Sequence, residues 1–388
     1  MNGSGPRTFL CLLLALLALA GTVSLAGAQE RTLSVGGLKR DYILHTPANG
    51  STGPWPLVIA LHGAWQPASV LRSYLDLDAI ADREGFAVAY PKGINLLWND
   101  GRGSVAGIMP IIQKRDDAAF VFAVLDQLVG EGVADPGRAY LMGFSNGAFL
   151  TAFVACRYPG RFKAYATMMM TAPQRYAETC KPGQPIPMLI MNGTYDPVVP
   201  MFGRPTPGAE LMSAEDSAAF FARLNGCGAS TTATAPHTKI WRWENCARGS
   251  AVLYYEVEGG HQPPAKTTGA MDALASLVLG PRRGGLDAPD EIWTFFKRYG
   301  TPGTAPAGGP GRIAAGTPAA TGPAALAAPG AVPPVLAVPG PAAEPPPAAP
   351  PPPPAISAFA EGYLPADVRT NIPLPVPSPL RQRTISTQ

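Results

Sequence analysis

The chain has 388 residues, of which 45 are proline and 43 are glycine, and its formal net charge is +3. So small a charge, without a long run of lysine and arginine, argues against a nucleic-acid partner. The cysteines and the four histidines are scattered along the chain, so we expect no metal site.

Residues 1–28 have the pattern of an export signal. Arg7 precedes an apolar stretch over residues 9–20, and Ala26-Gly27-Ala28 is a small-x-small cleavage site. Cleavage would make Gln29 the first mature residue and would leave no stable membrane span. We therefore expect a secreted or extracytoplasmic protein, in the cell envelope or periplasm. An uncleaved membrane anchor is the alternative.

Strand and helix patterns then alternate over residues 29–300, which we expect to form one domain. Continuous apolar runs predict buried strands at 57–61, 86–90, 138–142, 187–191 and 252–257. Helices are predicted over 69–84 and 148–158, after a cap at Asp116 or Asp117, after a cap at Ser213, and from Asp287. This alternation predicts the α/β class, with a mostly parallel sheet and helices on both of its faces.

The composition changes at residue 301. Residues 301–388 are rich in proline, alanine and glycine, and residues 351–354 are all proline. Such a segment has too few large apolar side chains to offset the entropy of ordering. We predict a disordered tail, partly in the polyproline II conformation, and the sequence identifies no partner for it.

The pentapeptide Gly143-Phe144-Ser145-Asn146-Gly147 is a G-x-S-x-G motif. In this motif the serine lies on a sharp turn between a strand and a helix, and here it follows one predicted strand and precedes a predicted helix. The context predicts that Ser145 is a nucleophile at the carboxyl edge of the sheet. An ordinary strand–helix turn is the alternative.

A serine nucleophile needs a base, and in this arrangement the acid and then the histidine follow it along the chain. His261 follows the strand 252–257 and is favoured as the base over His237, which lies in a Thr/Ala/Pro-rich stretch. Asp196 follows another predicted strand, and we expect it to orient His261. A turn aspartate before proline is the alternative for Asp196.

The negative charge that develops in acyl transfer needs hydrogen-bond donors, an oxyanion hole. We expect the backbone N–H groups of Asn146 and Ala64 to supply them. His62 is expected to brace the loop that carries Ala64. Trp65 and Trp98 are predicted to line the substrate pocket, with plain core packing as the alternative.

Signal cleavage would remove Cys11 and leave an even number of cysteines. In an exported chain this number suggests two disulfides, and three pairings are possible. Proximity along the chain favours Cys156–Cys180 and Cys227–Cys246.

Several segments keep a common order over most of residues 31–300. They are Leu61-His62-Gly63, Ala89-Tyr90-Pro91-Lys92-Gly93, Trp98-Asn99-Asp100-Gly101, Asp116-Asp117, Gly143-Phe144-Ser145-Asn146-Gly147, Asn192-Gly193-Thr194-Tyr195-Asp196-Pro197-Val198-Val199-Pro200 and Gly259-Gly260-His261. Together they resemble the extracellular polyhydroxybutyrate depolymerase and feruloyl esterase family. The resemblance implies an α/β-hydrolase fold, serine esterase chemistry outside the cytoplasm and no cofactor. It implies the nucleophile, acid and base roles for Ser145, Asp196 and His261, and it is consistent with the two cysteine pairs.

The sequence departs from the family pattern beside the expected site. Ala64-Trp65 stand where members often have further glycines, and Gln262-Pro263-Pro264 replace an aromatic residue and Trp-Pro. The tail does not resemble a polymer-binding domain. We therefore expect a small-molecule ester, or one linked to a polysaccharide or polyester, with soluble or oligomeric esters favoured over a crystalline polymer.

Two other functions fit the same fold. A serine peptidase is one, by fold analogy alone. A non-catalytic binding protein of the cell envelope is the other, and a complete triad argues against it.

Overall fold

The computed structural model describes residues 28–102, 104–105, 109–110, 115–206 and 209–301. Residues 1–27 of the predicted export signal and residues 302–388 of the predicted tail lie outside the described residues.

One sheet of ten strands dominates the described residues. The strands are β1 (Gln29–Val35), β2 (Leu38–His45), β3 (Trp55–Leu61), β4 (Ala87–Pro91), β5 (Ala134–Phe144), β6 (Ala164–Met168), β7 (Met188–Gly193), β8 (Thr231–Ala235), β9 (Thr238–Trp243) and β10 (Val252–Val257). Their order across the sheet is β1-β2-β4-β3-β5-β6-β7-β10-β9-β8. The central strands from β4 to β10 are parallel, and an antiparallel pair extends the sheet on each side.

The helices cover both faces of this sheet. They are α1 (Ala68–Leu75), α2 (Leu77–Glu84), α3 (Asp117–Gly130), α4 (Asn146–Arg157), α5 (Tyr176–Thr179), α6 (Ala214–Leu224), α7 (Ala270–Leu279) and α8 (Ala288–Phe296). Short 3-10 turns lie at Ile94–Leu96 and Ala247–Gly249, and two-residue ladders pair Ser104–Val105 with Met109–Pro110 and Pro205–Thr206 with Ala209–Glu210. Helices α3, α4 and α6 pack on one face, and α1, α2 and α8 pack on the other.

Strand β3 shows why this sheet is buried on both sides. Leu57, Ile59 and Leu61 contribute to the core beneath α3 and α4, whereas Val58 and Ala60 contribute to the core beneath α1, α2 and α8. Side chains alternate between the faces of a strand, so a continuous apolar run is what two covered faces require. The predicted α/β class, mostly parallel sheet and helices on both faces are confirmed, and this strand order is that of an α/β-hydrolase.

The helix predicted over 69–84 is two helices in the structure. Asp76 lies between them with φ 49° and ψ 34°, in the left-handed region that ends a right-handed helix. Aspartate tolerates this conformation better than most residues. Periodicity missed the break because Leu71 and Leu75 before it and Ile80 after it all face the same core.

The structure shows which residue caps each of two predicted helices. Asp116 caps α3, with its carboxylate accepting the Ala119 N–H at 2.8 Å, while Asp117 is buried. Ser213 caps α6 by accepting the Asp216 N–H at 3.0 Å. Each side chain satisfies a backbone donor that the helix itself leaves unpaired.

Two disulfides join Cys156 to Cys180 and Cys227 to Cys246, the pairs that proximity favours. The first ties the end of α4 to the residue after α5. The second ties the residues after α6 to the loop before β10. Each bridge closes a loop whose ends lie 24 and 19 residues apart, respectively.

The register of the parallel strands collects the functional loops at one edge. Leu61 of β3 lies opposite Gly143 of β5, and Gly193 of β7 lies opposite Val257 of β10. The loops that follow β3, β5, β7 and β10 therefore all leave the sheet at its carboxyl edge, where open α/β folds bind ligands.

Candidate active site

Ser145 lies on the turn between β5 and α4. Its backbone has φ 52° and ψ −117°, a combination that a side-chain-bearing residue rarely adopts, and its N–H donates to Met168 O at 2.9 Å. The turn also needs glycine at position 147, because a Cβ there would lie 2.4 Å from Leu61 O. The strand, the strained turn and the helix are the context in which the serine of a G-x-S-x-G motif projects from the sheet.

Ser145, His261 and Asp196 form one hydrogen-bonded chain. The His261 Nε2 atom lies 2.9 Å from Ser145 Oγ, and its Nδ1 atom lies 2.7 Å from Asp196 Oδ2. The other Asp196 oxygen accepts the N–H groups of Val198 and Val199 at 2.8 and 2.7 Å. His261 and Asp196 are buried, so the carboxylate depends on these donors in place of water.

Close backbone packing brings Asp196 and His261 together. Gly193, at the end of β7, lies so near the loop after β10 that a Cβ on it would be 2.1 Å from Gly260 O. Tyr195 N–H donates to Gly259 O at 2.8 Å, and His261 N–H donates to Leu279 O at 2.5 Å. The two loops are thus held against each other next to Ser145.

His237, the other candidate base, lies away from this site. It occupies the turn between β8 and β9 with φ 53°, is half-exposed, and faces Glu258 at 3.4 Å. The predicted surface loop is therefore the turn of an antiparallel hairpin.

His62 braces the loop after β3. The ring is fully buried, its Nδ1 donates to Gly63 O at 2.8 Å, and its Nε2 accepts the Gly93 N–H at 2.9 Å. This pattern requires the neutral ring with its proton on Nδ1. Burial lowers the pKa of His62 to about 4, against an ordinary value of 6.5.

Two backbone N–H groups near Ser145 are open to a ligand. In the loop after β3, Gly63 N–H donates to Gln66 Oε1 and Trp65 N–H donates to Leu96 O, both at 2.9 Å. The Ala64 N–H between them has no partner among the described residues. Asn146 is the first residue of α4, so its N–H has no acceptor within the helix. Both residues line the same cavity as Ser145.

A cavity of about 520 Å³ opens in front of Ser145 and His261. Its walls are mostly apolar, as is usual for small-molecule sites. They include Trp65, Val70, Phe149, Val199, Leu211 and Val278. Trp65, which has φ 57° and is 49% exposed, is one of these lining residues, and its contact with a substrate stays a prediction.

The predicted pocket role of Trp98 is wrong. Its side chain is fully buried behind the loop after β3, with the indole N–H donating to His62 O at 2.8 Å and the rings 4.7 Å apart. A buried indole N–H needs an acceptor, and this one is found away from the cavity. Trp98 supports the loop instead of contacting a ligand.

The side chain of Asn146 joins the site to a buried ion pair that the sequence analysis missed. Its Oδ1 accepts the Trp98 N–H and its Nδ2 donates to Asp100 Oδ2, both at 2.7 Å. Asp100 pairs with Arg102 at 2.6 Å, and the Arg102 guanidinium lies over the Phe149 ring in the cavity wall. The sequence feature that could have indicated this ion pair is the polar run Asn99-Asp100-Gly101-Arg102 after Trp98. Hydrophobic periodicity says nothing about the contacts of such a polar run.

Neither a metal cluster nor a membrane span is found in the described part of the chain. Those residues contain no group of three or more His, Cys, Asp or Glu side chains suited to a metal ion. None of their helices is long and apolar enough to cross a membrane.

Comparison with known proteins places this chain in a family. Residues 40–172 match the family model described as esterase PHB depolymerase. The putative esterase NocK of Nocardia uniformis is 30% identical over 267 residues, which cover 62% of this chain and 76% of that protein. Probable feruloyl esterase C of Aspergillus niger is 25% identical over 304 residues, 72% of this chain and 96% of that protein.

Other relatives are matched over less of their length. Feruloyl esterase B of Piromyces equi is 26% identical over 216 residues, and the match spans 53% of this chain and 39% of that protein. Among solved structures, acetyl xylan esterase from Aspergillus awamori aligns with a TM-score of 0.44 at 15% identity, covering 59% of this chain and 92% of that one. The match to NocK and the family model together show that this chain belongs to the PHB depolymerase esterase family and is an esterase.

Proposed function

We propose that this chain is an exported serine esterase that hydrolyses carboxylic esters through an acyl-serine intermediate. Ser145 is the nucleophile, His261 the general base and acid, and Asp196 the residue that orients His261. The observation that carries the proposal is the continuous chain of hydrogen bonds from Asp196 through His261 to Ser145 at the wall of a mostly apolar cavity.

In the proposed reaction, Ser145 Oγ attacks the ester carbonyl carbon while His261 Nε2 takes the hydroxyl proton. The carbonyl oxygen becomes an oxyanion, which the N–H groups of Ala64 and Asn146 stabilise. His261 then gives its proton to the departing alcohol. Water attacks the acyl-serine with His261 again as base, and release of the acid regenerates Ser145. Asp196 stabilises the imidazolium formed in each half of the cycle.

The substrate of this proposal is a carboxylic ester whose acyl group enters the cavity beside Trp65. Relatives named feruloyl esterase, and one named bifunctional acetylxylan esterase/xylanase, support a hydroxycinnamoyl or acetyl ester on a polysaccharide. The family description supports a short hydroxyalkanoate ester.

Export and domain organisation are also proposals. We propose that residues 1–28 are removed, that residues 29–300 form the catalytic domain, and that residues 301–388 form a separate tail. Two disulfides support export, because such bonds persist in oxidising compartments.

The test is hydrolysis of p-nitrophenyl acetate and methyl ferulate by the full chain and by Ser145→Ala. We expect activity on at least one ester, and a loss on the order of 10⁶-fold in kcat without the nucleophile. Ser73→Ala, on the exposed side of α1, is the matched control and should keep full activity. Equal activity of the Ser145→Ala and native chains would remove Ser145 from the mechanism.

A further inference from the structure

Helix α7 (Ala270–Leu279) exposes apolar side chains that a surface helix normally buries. Met271 is 75% exposed, Leu274 60%, Leu277 81% and Val278 76%. None of the residues of α7 is buried. In a surface helix of a globular protein the apolar stripe faces the core, so the orientation of α7 is reversed.

Polar contacts hold α7 in this reversed orientation. Asp272 pairs with Arg282 at 2.8 Å and accepts the Gly269 N–H at the start of the helix, also at 2.8 Å. Gln262 Nε2 donates to Ser276 Oγ at 3.2 Å and to Gly280 O at 2.7 Å. Because Asp272 and Ser276 attach the polar side to the protein, the apolar side faces solvent.

The exposed face of α7 continues into the cavity in front of Ser145. Val278 and Leu279 line that cavity, and Leu279 O accepts the backbone N–H of His261 at 2.5 Å. Trp65 and Val70, each 49% exposed, also line the cavity. The apolar surface therefore reaches from α7 to the reacting atoms.

We propose that α7, with Trp65 and Val70, docks the enzyme onto the surface of a water-insoluble aliphatic ester. Asp272 is the one charged residue within α7, and its ion pair leaves no free charge on the helix to recognise a polar partner. A protein seated on this face would lie at the mouth of the cavity and obstruct substrate. A water-insoluble ester bound at the same place would instead supply substrate to the cavity. This inference rests on the proposed esterase function.

The docking surface lies in the catalytic domain, although the sequence favoured soluble or oligomeric esters. That expectation followed from a tail that does not resemble a polymer-binding domain. A surface on α7 needs no such domain, because exposed apolar area beside the site suffices to hold an apolar phase.

The experiment measures the ratio of activity on an emulsified ester to activity on a dissolved ester. The full chain and the double variant Leu274→Ser/Leu277→Ser are assayed on a tributyrin emulsion above its solubility limit and on dissolved p-nitrophenyl acetate. We expect the emulsion-to-soluble activity ratio to fall roughly tenfold, the order that keeping one or two leucine side chains out of an apolar phase implies. Leu38→Ser, at a 45% exposed leucine of β2, is the matched control and should leave the ratio unchanged. Met271→Ser, on the same exposed side of α7, is a second variant that is assayed in the same way.

Adsorption separates docking from catalysis. The Ser145→Ala chain should be depleted from water by tributyrin droplets, and adding Leu274→Ser/Leu277→Ser should abolish the depletion. Absence of any ester hydrolysis would defeat the proposed function, while adsorption would still decide the role of α7. An unchanged ratio and unchanged adsorption would overturn the docking proposal. So would a dimer that the double variant converts to a monomer, since a second copy would then cover α7.

Discussion

His62 lies behind the cavity with both ring nitrogens committed to backbone partners. Its Nδ1 must donate to Gly63 O and its Nε2 must accept from Gly93 N–H, so a second proton would replace the latter bond with repulsion between two donors. The loop that His62 holds carries the free Ala64 N–H. Protonation of the His62 ring would therefore destabilise the folded chain and disturb the loop of the expected oxyanion hole.

Stability should depend on pH through His62. Burial lowers the pKa of His62 to about 4 from 6.5, so between these values the unfolded chain binds a proton that the folded chain does not. The stabilisation is complete above pH 6.5 and is lost as the pH falls toward 4, by about 3 kcal/mol in total. Urea unfolding of the native chain and of His62→Gln at pH 7 and pH 4.5 checks this. The native chain should lose more free energy of unfolding than the variant, and equal losses would contradict the prediction.

Single residues also show what the sequence could and could not predict about the site. Ser145, Asp196 and His261 were predicted from their places after strands, and in the structure their side chains lie within hydrogen-bond distance of one another in series. Trp98 was misplaced because the type of a residue does not tell which side of a loop it faces. Arg102 was missed because its contact with Phe149 is a product of tertiary packing.

Two adjacent aspartates at the start of α3 have different roles. Asp116 is exposed and caps the helix by accepting the Ala119 N–H. Asp117 is buried and pairs with Arg40 at 2.7 Å and with Arg115 at 2.8 Å. The sequence left open which of them caps the helix, because the ion pairs of Asp117 join residues far apart in the chain.

Substitution of these neighbours should therefore have unequal costs. Asp117→Asn leaves the buried charge of Arg40 uncompensated and should reduce the free energy of unfolding by about 3–5 kcal/mol. Asp116→Ala removes only the cap and should cost about 1 kcal/mol. Thermal and denaturant unfolding of both variants measures the difference. Similar losses at the two positions would show that the ion pairs do not hold α3 to the sheet.

Elements were best predicted where both faces of the sheet are covered. β3 and β10 were found from continuous apolar runs, whereas the hairpins β1–β2 and β8–β9 were missed. The edge strands β1 and β8 are largely exposed, and β2 and β9 interleave charged with apolar residues, so neither hairpin contains a continuous apolar run. Helix α7 was missed as well. Its apolar spacing is helical, but the sequence cannot tell whether an apolar face meets the core or solvent.

The molecule as a whole assembles its site from distant parts of the chain. Ser145, Asp196 and His261 are separated by tens of residues, and the parallel register of β5, β7 and β10 brings the loops that carry them to one edge. The α/β alternation predicted this arrangement in outline. The antiparallel strands at both sides of the sheet could not be predicted from the sequence, because local hydrophobic patterns do not indicate the direction of a strand.

The most direct test of the account is covalent labelling of the full chain with a fluorophosphonate probe, followed by mass mapping of the modified peptide. We expect one label per chain, on Ser145, with loss of ester hydrolysis in proportion to labelling. Labelling should disappear in Ser145→Ala and persist in Ser73→Ala. A folded, disulfide-intact chain that hydrolyses esters without labelling at Ser145, or that labels elsewhere, would contradict the central claim.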